Sequence, residues 1–255
     1  MEPGRLGIWY SVDKLDGPQL RALLQVIEAN GYTSFWYPES RGYESMSLGA
    51  FLLANSSRLM IGSSIASIYA RDAFTARRAL VSLNALYGNR YILGLGVSHV
   101  PMVEGMRGHH YDKPVPAMRA YLEGIRKDQP DADSWPIVVA ALGPQMLALS
   151  AKLSRGAVPY NVTPQHTAQA AAILGPGKWL AVEQKVVIET DAARARALGR
   201  KELAHRLGVH PTIVEKWELN KRRVPPYRVD ALAAALDVSV SALTDPAGLP
   251  ARAKP

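Results

Sequence analysis

Tyr91-Ile-Leu-Gly-Leu-Gly-Val97 is an unbroken apolar run, bounded by Asn89-Arg90 before it and Ser98-His99 after it. A short apolar run without polar alternation is buried on both faces, as a strand is inside a parallel sheet covered by helices. Outward from it the same element recurs. Upstream lie Leu6-Gly-Ile-Trp-Tyr-Ser11, Ser34-Phe-Trp-Tyr-Pro38 and the stretch from Leu59 to Ser67. Downstream lie Pro136-Ile-Val-Val-Ala-Ala-Leu142, Gly156-Ala-Val-Pro-Tyr160 and the stretch from Trp179 to Glu189. Helical patterns separate them. The first starts near Gly17, carries Leu20, Leu23, Leu24 and Ile27, and ends at Asn30-Gly31. The second covers Glu44 to Ser56. The third starts near Asp72, an N-cap residue, and carries Ala76, Ala79, Leu80, Leu83 and Tyr87. Further helices are expected over Pro116 to Asp128, Gln145 to Leu153 and Thr163 to Leu174. Seven strand–helix units exceed a small doubly wound sheet and fall one short of a closed barrel. The expected class is α/β, a TIM-type (β/α) barrel with no legible eighth strand, since no strand pattern follows Glu189.

Composition bounds the chemistry. At 255 residues and 48% hydrophobic content the chain can bury a real core. It has no cysteine, which excludes disulfides and thiolate metal sites. It has no apolar run of membrane-spanning length and no signal-peptide core after Met1, so no membrane partner and a cytoplasmic location are expected. The net charge is +8. Residues 1–190 hold 18 basic and 15 acidic side chains; residues 191–255 hold 12 and 7. Basic excess concentrated in a small helical segment favours a polyanion partner.

That segment has its own grammar, centred on Glu202-Leu-Ala-His-Arg-Leu-Gly-Val-His-Pro-Thr-Ile-Val-Glu-Lys-Trp-Glu218. Arg200 to Leu207 reads as a short helix, Gly208 as a tight turn, His210 as an N-cap and Pro211 as a first helical residue. Val214 and Trp217 face inward beside Leu203. A further helix over Tyr227 to Leu236 and a closing segment over Val238 to Leu243 complete a helix-turn-helix. Its two roles, DNA reading or protein interaction, stay open on these residues. The expected division is 1–196 for the barrel, 197–247 for the helical domain and 248–255 for a disordered tail.

Barrel chemistry sits in the loops after the strand C-termini. Gly94 and Gly96 allow either a flat ring or a neighbouring backbone to approach the fourth strand run. Leu142-Gly143-Pro144 leads a strand directly into a helix N-terminus, where exposed N–H groups favour an anion; ordinary turn chemistry is the alternative. His99, His109 and His110 lie in or beside a long loop from Ser98 to Pro114, and their spacing matches no metal site. His99 and Glu39, both just past strand ends, are the candidate acid/base residues, with a solvated rim carboxylate the alternative for Glu39.

Several segments, in order, resemble the luciferase-like monooxygenase superfamily, in its branch of F-420 (deazaflavin)-dependent oxidoreductases. They are Leu6-Gly-Ile-Trp-Tyr, Ile68-Tyr-Ala-Arg-Asp72, Leu93-Gly-Leu-Gly-Val-Ser-His99, Ala140-Ala-Leu-Gly-Pro-Gln-Met146, Pro159-Tyr-Asn-Val-Thr-Pro164 and Glu183 to Asp191. The resemblance implies F-420 as cofactor, with FMN the alternative, and hydride transfer on a small organic substrate. It implies a cis peptide at Ser64-Ile65 behind the ring. Gly96, Ser98 and His99 would lie near the reactive ring, Leu142, Gly143 and Pro144 at the cofactor phosphate, and Tyr160 and Asn161 in the neighbouring loop. Some relatives have His or Asp where Glu39 stands. The tail resembles the lambda-repressor-like helix-turn-helix family. That implies Thr212, Ile213, Glu215 and Lys216 at base edges of double-stranded DNA, with Arg200, Lys221, Arg222 and Arg223 at phosphates. Both resemblances imply a homodimer. A transcriptional regulator whose barrel senses cofactor or serves as a dimerisation scaffold is the alternative to an enzyme.

Overall fold

The computed structural model describes residues 2–219 and 224–225. Each expected strand run forms: β1 Gly7–Trp9, β2 Ser34–Tyr37, β3 Met60–Ser63 with β4 Ala66–Ser67, β5 Tyr91–Gly96, β6 Ile137–Val139, β7 Gly156–Ala157 and β8 Trp179–Leu180. All pairings are parallel, in the order β1-β2-β3-β5-β6-β7-β8, with β4 beside β5. Helices α1 Gly17–Ala29, α2 Ser45–Ala54, α3 Ala73–Leu86, α4 Pro114–Arg126, α5 Pro144–Leu153 and α6 Pro164–Leu174 connect successive strands. The architecture is a parallel α/β half-barrel. Among the described residues no strand pairs with the outer edge of β1 or β8.

Local chemistry places the helices. Asp16 and Gln19 form a capping box at α1, each side chain taking the other's backbone N–H at 2.9 Å. Asp72 caps α3 through the Thr75 N–H, as its position in the sequence implies. Apolar residues of these helices meet the outward-facing strand residues Phe35, Tyr37, Ile61, Tyr91, Leu93, Leu95, Ile137 and Val139 in the main core. On the opposite face the alternate residues Trp36, Met60, Ile92, Val138 and Val158 form a second cluster. Trp9 from β1 and Trp179 from β8, the two edge strands, both pack against it. The sheet therefore curls enough to bring its two ends to one inner cluster. Indole bulk fills the inner face, and Gly62 makes room for it: a Cβ there would lie 2.4 Å from the Trp36 ring.

Four details differ from the sequence reading. The stretch from Leu59 to Ser67 is not one strand. Gly62 pairs with Ile92 and Ala66 with Leu95, so three residues on one side face two on the other. That one-residue surplus is a β-bulge. The stretch from Trp179 to Glu189 stops being a strand at Leu180, apart from one bridge between Glu183 and Tyr160. Val186, Val187 and Ile188 are exposed; β-branched residues do not hold a strand without a pairing neighbour. The loop from Ser98 to Pro114 contains a π-helix, Pro101–Met106. Finally, α7 Ala192–Leu207 is one continuous helix, so a domain boundary at 196–197 falls inside it.

The chain divides into two compact units. The first is Met1–Pro159 with Ala170–Ala181, and the second is Tyr160–Gln169 with Val182–Pro255. In the second, α7 ends at Gly208, whose φ of 60° is the left-handed cap that glycine favours. His210 then caps α8, Pro211–Glu218, through the Thr212 N–H. Ala204, Leu207 and Val214 are buried between the two helices. The helix over Tyr227 to Leu236, the segment Val238 to Leu243 and the tail from 248 lie outside the described residues. Among the described residues no helix is long and apolar enough to cross a membrane.

Gly94 tests the sheet geometry. A Cβ there would lie 1.9 Å from the Ser63 carbonyl oxygen, a backbone atom that cannot swing away. Gly94→Ala is expected to destabilise the protein by about 1–3 kcal/mol or more in denaturant melts. Gly17→Ala, whose Cβ would meet its nearest neighbour at 3.5 Å, is expected to stay within about 0.5 kcal/mol of the parent. Equal effects would show that the β3–β5 approach is not as described.

Candidate functional site

The bulge between β3 and β4 carries a cis peptide bond at Ser64-Ile65, where the resemblance placed one. Its backbone groups have partners from three neighbouring segments. Ser64 N–H donates to the Tyr37 carbonyl at 2.7 Å, and the Ser64 carbonyl accepts from the Trp9 indole N–H at 3.1 Å. The Ile65 carbonyl accepts from Glu39 N–H at 3.1 Å. Ser67 N–H donates to the Glu39 carboxylate at 2.8 Å. The Ser63 hydroxyl donates to the Gly94 carbonyl and accepts from Gly94 N–H, bridging the break in the ladder. Gly94 and Gly96 therefore accommodate the protein's own chain: Ser63 backbone against one, the Ile65 side chain against the other.

Glu39 has a different setting from an exposed proton carrier. Its side chain is 4% exposed and its oxygens meet Ser67 N–H, Arg71 and, at 3.4 Å, Ser45 N–H. Arg71 also bonds Glu44 at 2.8 Å. Burial lowers the Arg71 pKa, but the two carboxylates outweigh it and the guanidinium ends above its usual value. Burial raises the Glu44 pKa, and the N–H groups of Met46 and Ser47 with Arg71 bring it below the usual carboxylate range. Breaking a buried pair of this kind typically costs about 3–5 kcal/mol.

The remaining candidates spread along the strand ends. Ser98 has a left-handed φ of 58° and its carbonyl accepts from the Tyr111 hydroxyl at 3.3 Å. His99 is exposed, and its carbonyl takes the N–H groups of Met102 and Val103 that open the π-helix. Gly143 caps α5 without any side-chain cap, and a Cβ there would meet nothing within 4 Å. Its helix thus starts without a side-chain cap on its first turn. Tyr160 and Asn161 belong to the second unit, where Asn161 N–H donates to the Glu183 carbonyl at 2.6 Å. Sequence reasoning missed Arg71, Trp9 and Tyr111. Arg71 stands within the quoted segment Ile68 to Asp72. Tyr111 stacks on Tyr69 at 5.8 Å and ties the long loop down, which only tertiary contacts reveal.

On the helical pair, Thr212 and Lys216 are exposed, while Ile213 and Glu215 are half-buried. Arg200, expected at a phosphate, instead bonds Glu218 of α8 at 2.5 Å. Lys221, Arg222 and Arg223 lie outside the described residues.

Residues 4–128 match the luciferase-like monooxygenase family model, and residues 193–243 match a helix-turn-helix model. The chain therefore carries a luciferase-like domain and a helix-turn-helix domain. A Mycobacterium tuberculosis protein named for coenzyme F-420-dependent oxidoreductase activity is 26% identical over 201 residues, which cover 65% of this chain and 58% of that one. The 5,10-methylenetetrahydromethanopterin reductase of Methanolobus tindarius is 26% identical over 153 residues, covering 52% and 47%. The chain thus spans about half the length of the curated relatives it matches. Among solved structures, the F-420-dependent tetrahydromethanopterin reductase of Methanopyrus kandleri has a TM-score of 0.65 at 16% identity, covering 91% of this chain and 82% of its own. The FMN complex of the 3,6-diketocamphane monooxygenase oxygenating constituent, from a Pseudomonas putida plasmid, scores 0.58 at 15% identity, covering 97% and 92%. These structures share the fold.

Glu183 provides a pH test of the second unit. Burial pushes its carboxyl up to about 7, and Lys185 offsets this only in part. A raised carboxylate pKa means that the unfolded chain releases its proton first. Stability from this group is full below the ordinary value of 4.5 and is lost as pH rises through about 7. The half-buried setting screens the effect to about 1–2 kcal/mol. The melting temperature is expected to fall over that window, and Glu183→Gln should flatten the fall. Parallel profiles for the two proteins would refute the assignment.

Proposed function

We propose that the luciferase-like domain is an F-420 (deazaflavin)-dependent oxidoreductase domain acting by hydride transfer on a small organic substrate, with FMN the alternative cofactor. One observation carries the reading: the α5 N-terminus without a side-chain cap, with open space at Gly143, set after β6 at the C-terminal end of a parallel sheet. Exposed N–H groups and a helix dipole suit a phosphate. The names of the matched relatives support the choice of F-420. Leu142, Gly143 and Pro144 would hold the phosphate; Ser64, Ile65, Gly96 and Ser98 would border the ring; Tyr160 and Asn161 would belong to the neighbouring loop. Bound deazaflavin supplies hydride exchange at its C5. His99, exposed at the end of β5, is the candidate for moving a proton. Glu39 acts as a positioning residue, since its carboxylate already holds Ser67 and Arg71. Fluorescence titration of the purified chain should show F-420 or FMN bound with a dissociation constant below about 10 µM. Saturation by neither at that level would remove the enzyme reading.

A second reading concerns α7 and α8. We propose that they bind double-stranded DNA, with Thr212, Ile213, Glu215 and Lys216 toward base edges. The exposure of Thr212 and Lys216 on the helix after a glycine turn supports it. Arg200 then braces the helix pair rather than a phosphate. A regulator whose luciferase-like domain senses cofactor or serves dimerisation is the non-catalytic form of this reading. Gel-shift selection on genomic fragments should find a preferred sequence, and Lys216→Ala should weaken it by about 1–3 kcal/mol. Binding that is absent, or indifferent to sequence and to Lys216, would count against it.

A further inference from the structure

A cavity of about 640 Å³ opens in the first unit, apart from the residues expected at the cofactor. Its walls come from the loop after β2, the start of α2, the stretch from Ala70 into α3 and the π-helix. That volume suits a small organic ligand, for which about 300–1,000 Å³ is usual. Its charges divide into two groups. Glu39 and Glu44 are already bonded to Arg71. Arg41 and Arg107, from two different loops, line the cavity with their guanidinium groups having no hydrogen-bond or ion-pair partner among the described residues. The rest of the lining includes Met46, Met102 and Met106, side chains that adapt to irregular apolar shapes.

We propose that this cleft binds a small organic carboxylate, its head on Arg41 and Arg107 and its hydrocarbon body against Met46, Met102 and Met106. Guanidinium groups match a carboxylate fork and gain charge-assisted hydrogen bonds from it. A neutral ligand leaves both cations without a partner. A bare inorganic anion leaves the methionines in contact with water. Glu39 joins this wall to the bulge through its bonds to Ile65 and Ser67. The identification of the carboxylate as a substrate rests on the oxidoreductase reading, whereas its binding does not.

Calorimetry on the full chain tests this with hexanoate, 1-hexanol and inorganic phosphate as probes. Hexanoate is expected to bind with a dissociation constant near or below about 1 mM, a usual strength for a ligand of that size. Arg41→Gln and Arg107→Gln, both at exposed positions, should each weaken it by about tenfold while leaving the melting temperature in place. Hexanol and phosphate should each bind at least about tenfold more weakly than hexanoate. Equal affinity for hexanoate and hexanol overturns the proposal. So do phosphate binding as tight as hexanoate, binding unchanged in both variants, or no hexanoate binding up to about 10 mM. A parallel F-420 titration separates the two readings. Hexanoate binding without F-420 binding keeps the cleft and removes the redox role; the reverse removes the cleft alone.

Discussion

A parallel sheet of this kind loses its ladder wherever one strand gains a residue on its neighbour, and every N–H and carbonyl freed there needs a new partner. Between β3 and β5 that happens at Ser63, Ser64 and Ile65. The partners come from β1 through the Trp9 indole, from β2 through Tyr37 and Glu39, and from β5 through Gly94. Four strand segments thus lock around one irregularity. Glu39 serves it twice, by backbone N–H and by carboxylate, and the carboxylate in turn recruits Arg71. Arg71 gathers Glu44, which caps α2 through the N–H groups of Met46 and Ser47. The carboxyl-terminal face is organised outward from the bulge along this chain of bonds.

Much of this architecture was legible in the sequence because its signals are local. Buried strands show as apolar runs, and the α3 cap shows as Asp72 ahead of an apolar stripe. The bulge was not legible, since Leu59 to Ser67 carries small and β-branched residues, and a surplus residue appears only when the partner strand is counted. The short β8 was not legible for the same reason: Val186, Val187 and Ile188 have strand propensity but, among the described residues, no strand beside them. Glu39 and His99 were picked for their place after strand ends, a rule about loops that says nothing of burial. One side chain proves 4% exposed and bonded, and the other residue is exposed. Arg200 was placed at a phosphate by the family resemblance, and a resemblance does not reveal that this side chain forms an ion pair with Glu218.

The inner cluster explains how a sheet whose two edge strands have no further partner among the described residues keeps a curved shape. In a closed barrel, layers of branched side chains from all strands fill the middle. Here the indoles of Trp9, Trp36 and Trp179 supply that bulk, two of them from the edge strands. Aromatic rings bury about 150–250 Å² each, so a few can replace a layer of smaller residues. The match is specific where Gly62 yields to Trp36. Trp179 shows a cost of the arrangement: its ring N–H is buried without a hydrogen-bond partner, beneath the Arg155 guanidinium at 5.4 Å. An orphaned donor of that kind costs about 1–3 kcal/mol.

Bulge and indole layer meet at Trp9. Its ring packs against the inner cluster, and its N–H holds the Ser64 carbonyl. The side chain that fills the sheet at its open edge is therefore the one that fixes the strand end where chemistry is expected. Filling the inner face and shaping the carboxyl-terminal face are then one structural problem with one solution. The open edge does not by itself leave the strand ends unsupported, because their bonds run across β1, β2, β3 and β5 and not through β8.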